Sequence, residues 1–316
     1  MGVKKMNSKK LISLMLVMSM SLAAVGCSSS NKTSDNNSTN QAVTAENKEE
    51  VGQIILSGSS TLAPVINQVI SNFTEAHKTW SDVSSTYGAE AIDIVVSEGG
   101  SGAGVKGLVE GTANFGLVSR PVKDDEKASI EGYKEYNLGT DALTISINPE
   151  NKLLDYKKDG LTTEELAKIF SGEYAYWDDV DSNLPHDEIV VITRDISGGA
   201  HQVFQEKVMG DTEVSPNVIQ ASSMGALVNK IIENKNAIGY ASFGVVNQNT
   251  GKVTPLNIDG IEPTAENILN GNYKISRPLL VISKGTLNEA EQSFIDACTS
   301  ADGMKVVEDL GFVPAK

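Results

Sequence analysis

Three short segments concentrate serine, threonine and glycine where a strand pattern gives way to a helix pattern: SGSSTLAP at 57–64, GGSGAG at 99–104 and TRDISGGA at 193–200. A helix N-terminus presents unpaired N–H groups and a partial positive charge. Hydroxyls add donors, and glycine lets the backbone approach a small ligand closely. The third segment also carries Arg194, whose planar fork suits a tetrahedral oxyanion. One such turn alone is ordinary capping chemistry. Three of the same kind, one with an arginine, would form a cage for a small anion if the fold brings them together.

The residues for other chemistries are poorly placed. Gly102, Gly104 and Gly107 spell the dinucleotide pattern as GAGVKG, yet the next strand runs into Ser119 and Arg120 where an acidic residue is required. His77, His186 and His201 have no metal-ligand spacing, and there is no G-x-S-x-G elbow. Hydrolysis, which needs a nucleophile with a positioned base or a metal, therefore has no visible machinery. Trp80 and Trp177 read as packing residues, because a tetrahedral anion offers no flat face to stack on. No enzyme activity and no metal, nucleotide or redox cofactor is expected.

The elements that must position the turns follow the order strand, glycine-rich turn, helix. QIILSGSSTLAPVINQVISNF opens the series, IDIVVSEGGSGAGVKGLVEG and NFGLVSRP follow, and EIVVITRDISGGAHQVF repeats it later. Val65, Val69, Ile70 and Phe73 recur at helical spacing in the first unit, as do Val105, Leu108 and Val109 in the second. Further strands are read at DALTISINP, NAIGYASFGVV and SRPLLVIS, with helices at TTEELAKIF and ALVNKIIE and a closing one at NEAEQSFIDACTSADGMKVVEDLG. Such alternation predicts an α/β layered fold. The chain after residue 50 is long enough for two lobes with separate cores.

The N-terminus reads as an export address. Lys4, Lys5, Lys9 and Lys10 precede an uncharged run over 11–26 that is too short to span a bilayer and ends in small residues before Cys27. LAAVGC resembles a bacterial lipobox, which would make Cys27 the lipidated first residue of the mature chain. Residues 28–50 are polar without an apolar period and read as a flexible tether. Cys298 is the one remaining cysteine, so a lipidated Cys27 leaves the mature domain without an internal disulfide. Losing a leader with four lysines and no acid takes the formal charge from −15 to −19. That argues against nucleic acid and requires any anion to be held by local donors against the global field.

In this order, the three turns resemble those of the phosphate-binding proteins of bacterial phosphate ABC transporters. SRPLLVISKG is similar to that family's late strand, LAKIFSGEYAYWDDV to its IF-x-G-x-x-x-x-W segment, and SADGMKVVEDLGFVP to its closing helix and tail. The resemblance covers nearly all of 53–316. It implies a two-lobed periplasmic binding protein of type II, the Venus-flytrap form, with a mixed sheet in each lobe and a hinge of two crossings. Lobe boundaries are expected at 51–140 plus 246–316 for the first lobe and 141–245 for the second.

Carried over by position, Ser60, Thr61 and the Leu62 N–H would bind phosphate from the first turn, Ser101 from the second and Arg194 from the third. Ser119 stands where some members place an acceptor aspartate and would accept without a charge. The third turn reads Gly198, Gly199, Ala200, His201 where many relatives have Ser-Gly-Thr before an arginine, so Ser197, Gly198 and Gly199 are expected to substitute. Arg120 and Asp141 are further candidates, Asp141 as the missing acceptor or as an arginine's partner. The implied function is capture of inorganic phosphate for the membrane subunits of an ABC transporter by a monomer lipid-anchored on the outer face of the cell membrane. Sulfate, molybdate or another small oxyanion is the alternative cargo, and a secreted hydrolase a more distant one.

Overall fold

The computed structural model describes residues 48–195 and 198–315. The leader, Cys27, the tether up to residue 47 and Ser197 lie outside the described residues. Ten strands form one mixed sheet: β1 (Ile54–Gly58), β2 (Ile94–Glu98), β3 (Phe115–Val118), β4 (Lys134–Ile147), β5 (Val190–Arg194), β6 (Ile219–Ala221), β7 (Ala237–Ser242), β8 (Thr254–Pro255), β9 (Ser276–Ser283) and β10 (Val313–Pro314). The spatial order is β2-β1-β3-β9-β4-β7-β5-β6, with β8 and β10 also paired to β4.

Two parallel groups sit at the ends of this sheet. β1 pairs β2 and β3 in parallel, and β5 pairs β6 and β7 in parallel. In each group a helix carries the chain from one strand to the next, as parallel pairing requires. The antiparallel strands β4 and β9 join the groups. The first part of β4 pairs β9 as far as Ala142↔Ser276, and its last residues, from Leu143↔Ser242, pair β7. The strand is therefore shared by both groups. Its final residues, from Leu138 on, are buried apart from Thr140, because both faces are covered.

Buried side chains separate into corresponding clusters. One, around Leu56, Ile66, Phe115, Leu138, Val281 and Phe294, packs the helices Ala63–Ala76 and Glu289–Thr299 on one face of β1, β3 and β9. A smaller one, with Val105, Leu108, Val118 and Ile282, seats the helix Ser101–Glu110 on the opposite face. The third spans Ala142 to Ile275 and includes Phe170, Phe204, Leu227 and Tyr240. Trp80 and Trp177 are both buried in these cores, as packing residues.

Three expectations change. The segment after residue 246 does not rejoin the first core. Val246, Val253, Leu256, Ile258, Ile268, Tyr273 and Ile275 all pack with the third cluster. The cause is β8, which pairs Ser146↔Pro255 on the far part of β4 and is followed by the Leu256 N–H donating to the Ile145 carbonyl at 2.7 Å. The chain leaves that cluster at Ile275, where β9 begins. Second, NAIGYASFGVV is a strand only to Ser242, and Phe243–Gln248 is helical. Third, the closing helix is two helices, broken at Ser300, whose extended backbone lets its hydroxyl accept the Gly303 N–H and start Ala301–Asp309.

Candidate anion site

The dinucleotide-like glycines have a structural use. A Cβ on Gly104 would stand 2.7 Å from the Ser57 carbonyl oxygen and 2.9 Å from that of Leu117, so glycine is what lets the helix Ser101–Glu110 lie close on β1 and β3. This packing brings the first two turns together. Ser59, Ser60 and Thr61 follow β1, Ser101 begins the helix after β2, and Ser119 follows β3; all are buried. The Ser59 hydroxyl donates to Ser119 Oγ at 2.9 Å, and the Ser119 N–H donates to Ser101 Oγ at 3.0 Å. The Leu62 N–H, expected to face a ligand, donates to the Ser59 carbonyl at 3.2 Å, closing a turn before the helix Ala63–Ala76.

Arg194 ends β5 and is almost completely buried. Its fork is fully committed in direction: Nε donates to the Ala221 carbonyl at 3.0 Å, Nη2 to the Ser222 carbonyl at 2.9 Å and to Asp195 Oδ2 at 3.0 Å. That leaves Nη1 aimed at Ser60 Oγ, 2.8 Å away on the other parallel group. Ser60 Oγ also accepts the Met224 N–H at 3.2 Å, from the start of the helix Met224–Glu233. Behind the arginine, its backbone N–H donates to the Tyr240 hydroxyl at 2.9 Å, and Tyr240 lies against His201 Nδ1 at 3.4 Å. Burial pushes the His201 imidazole below its ordinary value, against a smaller opposing effect of Asp195.

Gly198 and Gly199 bring the third turn against the second. A Cβ on Gly199 would overlap Ser101 Oγ, and one on Gly100 would lie 3.5 Å from the Gly198 Cα. Ser60, Thr61, Ser101, Ser119, Arg194, Gly198 and Gly199 thus converge where the two parallel groups meet. The remaining two candidates are engaged elsewhere. Arg120 forms a two-pronged pair with Glu126, at 2.7 Å and 2.6 Å, so its fork points to the carboxylate. Asp141 is the partner of an arginine, but that arginine is Arg277.

Arg277 was not singled out by the sequence reading, and it is the centre of the site's second network. Nε and Nη2 donate to Asp141 Oδ2, Nη2 also to Thr61 Oγ1 at 2.9 Å, and Nη1 to Ser119 Oγ at 3.2 Å. Burial alone would push the Asp141 carboxyl up; the Arg277 guanidinium, the Ser242 hydroxyl and the Gly244 N–H act the other way. A signal was available, because a charged residue opening the otherwise uncharged strand SRPLLVIS needs a buried partner. Ser59, Ser242 and the Met224 N–H were also missed, being ordinary turn or strand residues until the fold gathers them. Chemically, the cluster is a set of hydroxyls oriented by two buried guanidinium groups. Among the described residues no group of three or more His, Cys, Asp or Glu is arranged to hold a metal ion.

A mixed sheet with two parallel groups joined by shared antiparallel strands, and a polar cluster where they meet, is the design of a solute-binding protein. The family model of the PBP superfamily domain matches residues 43–302. The phosphate-binding protein PstS of Staphylococcus epidermidis is 30% identical over 288 residues, covering 87% of this chain and 82% of that protein. PstS of Staphylococcus haemolyticus is 30% identical over 278 residues, covering 84% and 82%. Among solved structures, a putative phosphate ABC transporter substrate-binding protein with bound phosphate from Clostridium perfringens superposes with a TM-score of 0.71 at 29% identity, covering 84% of this chain and all of that one. The chain belongs to the PstS family of phosphate-binding proteins within the PBP superfamily.

Proposed function

We propose that this protein captures inorganic phosphate outside the cytoplasm and delivers it to the membrane subunits of a phosphate ABC transporter, acting by binding and not by turnover. The observation that carries the reading is the meeting of Arg194 with Ser60 at 2.8 Å, a guanidinium from one parallel group aimed at the hydroxyl turn of the other. A tetrahedral anion between them would touch both groups at once. The Clostridium perfringens neighbour with bound phosphate and the PstS relatives support phosphate as the cargo.

The mechanism is a clamp. Lobe one is residues 51–142 with 276–315, and lobe two is 143–275, so the chain crosses where Ala142↔Ser276 pair and the Leu143 N–H donates to the Ile275 carbonyl at 2.8 Å. Two adjacent crossings form a hinge, and an anion contacting both lobes favours the closed form that a transporter recognises. Ser60, Thr61, Ser101 and Ser119 supply hydroxyls and Arg194 the charge; Ser197 is kept as a donor of the third turn. Arg120, whose fork is taken by Glu126, has no part in binding the anion in this reading.

Anchoring through a lipid on Cys27 is part of the proposal, supported by the leader and the polar tether. Among the described residues no helix is long and apolar enough to cross a membrane. A monomer is the proposed working form. Titration calorimetry of the phosphate-stripped mature protein with phosphate tests the cargo, and absence of any heat or competition would refute it. Release of Cys27→Ala protein into the medium, with wild type retained on the membrane, tests the anchor.

A further inference from the structure

Arg194 is held from two sides. Its fork is fixed by the Ala221 and Ser222 carbonyls, from β6 and the turn after it. Its backbone is fixed by the opposite neighbour. The pairing of β5 with β7 ends at Ile192↔Gly239, and at Arg194 a side chain takes over, the Tyr240 hydroxyl accepting the Arg194 N–H at 2.9 Å. Tyr240 is wholly buried, its ring stacked on Phe204 with 4.4 Å between centroids and 23° between planes, and Phe204 in turn meets Phe170 at 4.5 Å. On β7, Tyr240 also stands opposite Ile145 of β4. A ring packed this way leaves its hydroxyl little freedom, so the N–H it accepts is placed by the core.

The direction of the hydroxyl's other bond follows from its surroundings. Burial pushes the Tyr240 phenol up, so it stays protonated and its O–H needs an acceptor. Among the described residues the acceptor it meets is His201 Nδ1, at 3.4 Å. A neutral imidazole has one donor nitrogen and one acceptor nitrogen. Were the ring proton on Nδ1, the phenol O–H would lie buried without a partner, which native structures avoid. Nδ1 therefore accepts and Nε2 carries the proton. His201 is half-buried and lines a polar cleft with Gln205, Asp211 and Glu213, which offers acceptors to a ring N–H. Burial also disfavours the imidazolium, against a smaller opposing effect of Asp195.

We propose that Tyr240 is a positioning residue of the anion site: its hydroxyl takes the Arg194 N–H and gives its own proton to His201 Nδ1, so that His201 supports the arginine and is not an anion ligand. With the backbone held by Tyr240 and the fork by Ala221 and Ser222, Nη1 is left aimed at Ser60. The inference rests on the proposed capture of phosphate for the ligand whose affinity reports it.

The test is titration calorimetry with inorganic phosphate on the mature protein as wild type, Tyr240→Phe, His201→Ala and the double variant. Tyr240→Phe keeps the stacked ring and removes only the oxygen, and should lower phosphate affinity roughly tenfold. His201→Ala leaves the oxygen in place and should lower it about threefold. Both act through one oxygen, so the double variant should lose no more than Tyr240→Phe alone. Nitrogen NMR of His201 should show the proton on Nε2 in the wild type and a mixture of tautomers in Tyr240→Phe, whereas a Tyr240 that merely packs would leave the tautomer unmoved. Wild-type affinity in Tyr240→Phe, or losses that add in the double variant as they would if His201 touched the anion, overturns the positioning role and leaves phosphate capture standing. A wild-type His201 protonated on Nδ1 overturns the direction of the bond, with no variant needed. A wild type that binds no phosphate overturns the capture reading, and the tautomer still decides the hydrogen bond.

Discussion

Arg277 and Asp141 are directly opposed in the pairing of β9 with β4, and the guanidinium donates to one carboxylate oxygen through Nε at 3.0 Å and Nη2 at 2.7 Å. Both side chains are wholly inaccessible to solvent. The same guanidinium holds Thr61 and Ser119, so a buried pair at the crossing of the chain also orients the hydroxyls of the site.

Removing one partner of this pair strands a buried charge. Arg277→Ala or Asp141→Ala should each cost about 3–5 kcal/mol in chemical denaturation. The apolar double replacement Arg277→Met with Asp141→Leu should recover most of that stability. Anion affinity should not recover with it, because Thr61 and Ser119 lose their orienting donor. Recovery of both together would show that Arg277 has no role in the site.

Arg194→Ala should remove about 2–5 kcal/mol of anion binding, seen as loss of most of the calorimetric affinity. Arg194→Lys should not restore it. A lysine ammonium cannot reproduce the fork that reaches Ala221, Ser222 and Ser60 at once. Unchanged affinity in Arg194→Ala would place the arginine outside the site.

Gly199→Ala tests the closeness of the second and third turns. The added methyl overlaps Ser101 Oγ. Relieving that contact moves the turns apart and should cost about 1–3 kcal/mol of anion affinity, with little change in thermal midpoint. An affinity equal to wild type would mean that the two turns do not close on the anion together.

Glu126 gives a pH signature. Burial pushes its carboxyl up, but the Arg120 hydrogen bonds and charge and the Lys123 N–H outweigh that and hold it below its ordinary value. A carboxyl depressed in the folded state contributes stability that is present above its unfolded value and lost as pH falls through the folded one. Wild type should therefore lose about 1 kcal/mol of stability from this group on acidification below about pH 4, after allowance for solvent screening. Glu126→Gln should lack that component. Parallel stability profiles for the two proteins would contradict the assignment.

Much of the fold was legible locally. β1, β3, β5 and β9 fall within the segments read as strands, because apolar runs bounded by Ser, Gly and Arg carry their own punctuation. The core that residues 246–275 join was not legible. Residues 246–275 have no strong period, and what assigns them to the third cluster is β8 pairing with β4, a contact between segments about a hundred residues apart. The break at Ser300 was equally hidden, since the apolar spacing continues through it.

The three hydroxyl and glycine turns, with Arg194 among them, were determined by the sequence by itself, because capping and close approach are properties of neighbouring residues. Which of their atoms donate and which accept was decided only by the tertiary structure. Leu62 uses its N–H on Ser59, Arg120 turns to Glu126, and Arg277, a strand residue in the sequence, stands on β9 between β3 and β4 and donates to both Asp141 and Ser119. A hydroxyl's role depends on which lone pairs are already filled, and its partners here come from strands that meet only in the folded sheet.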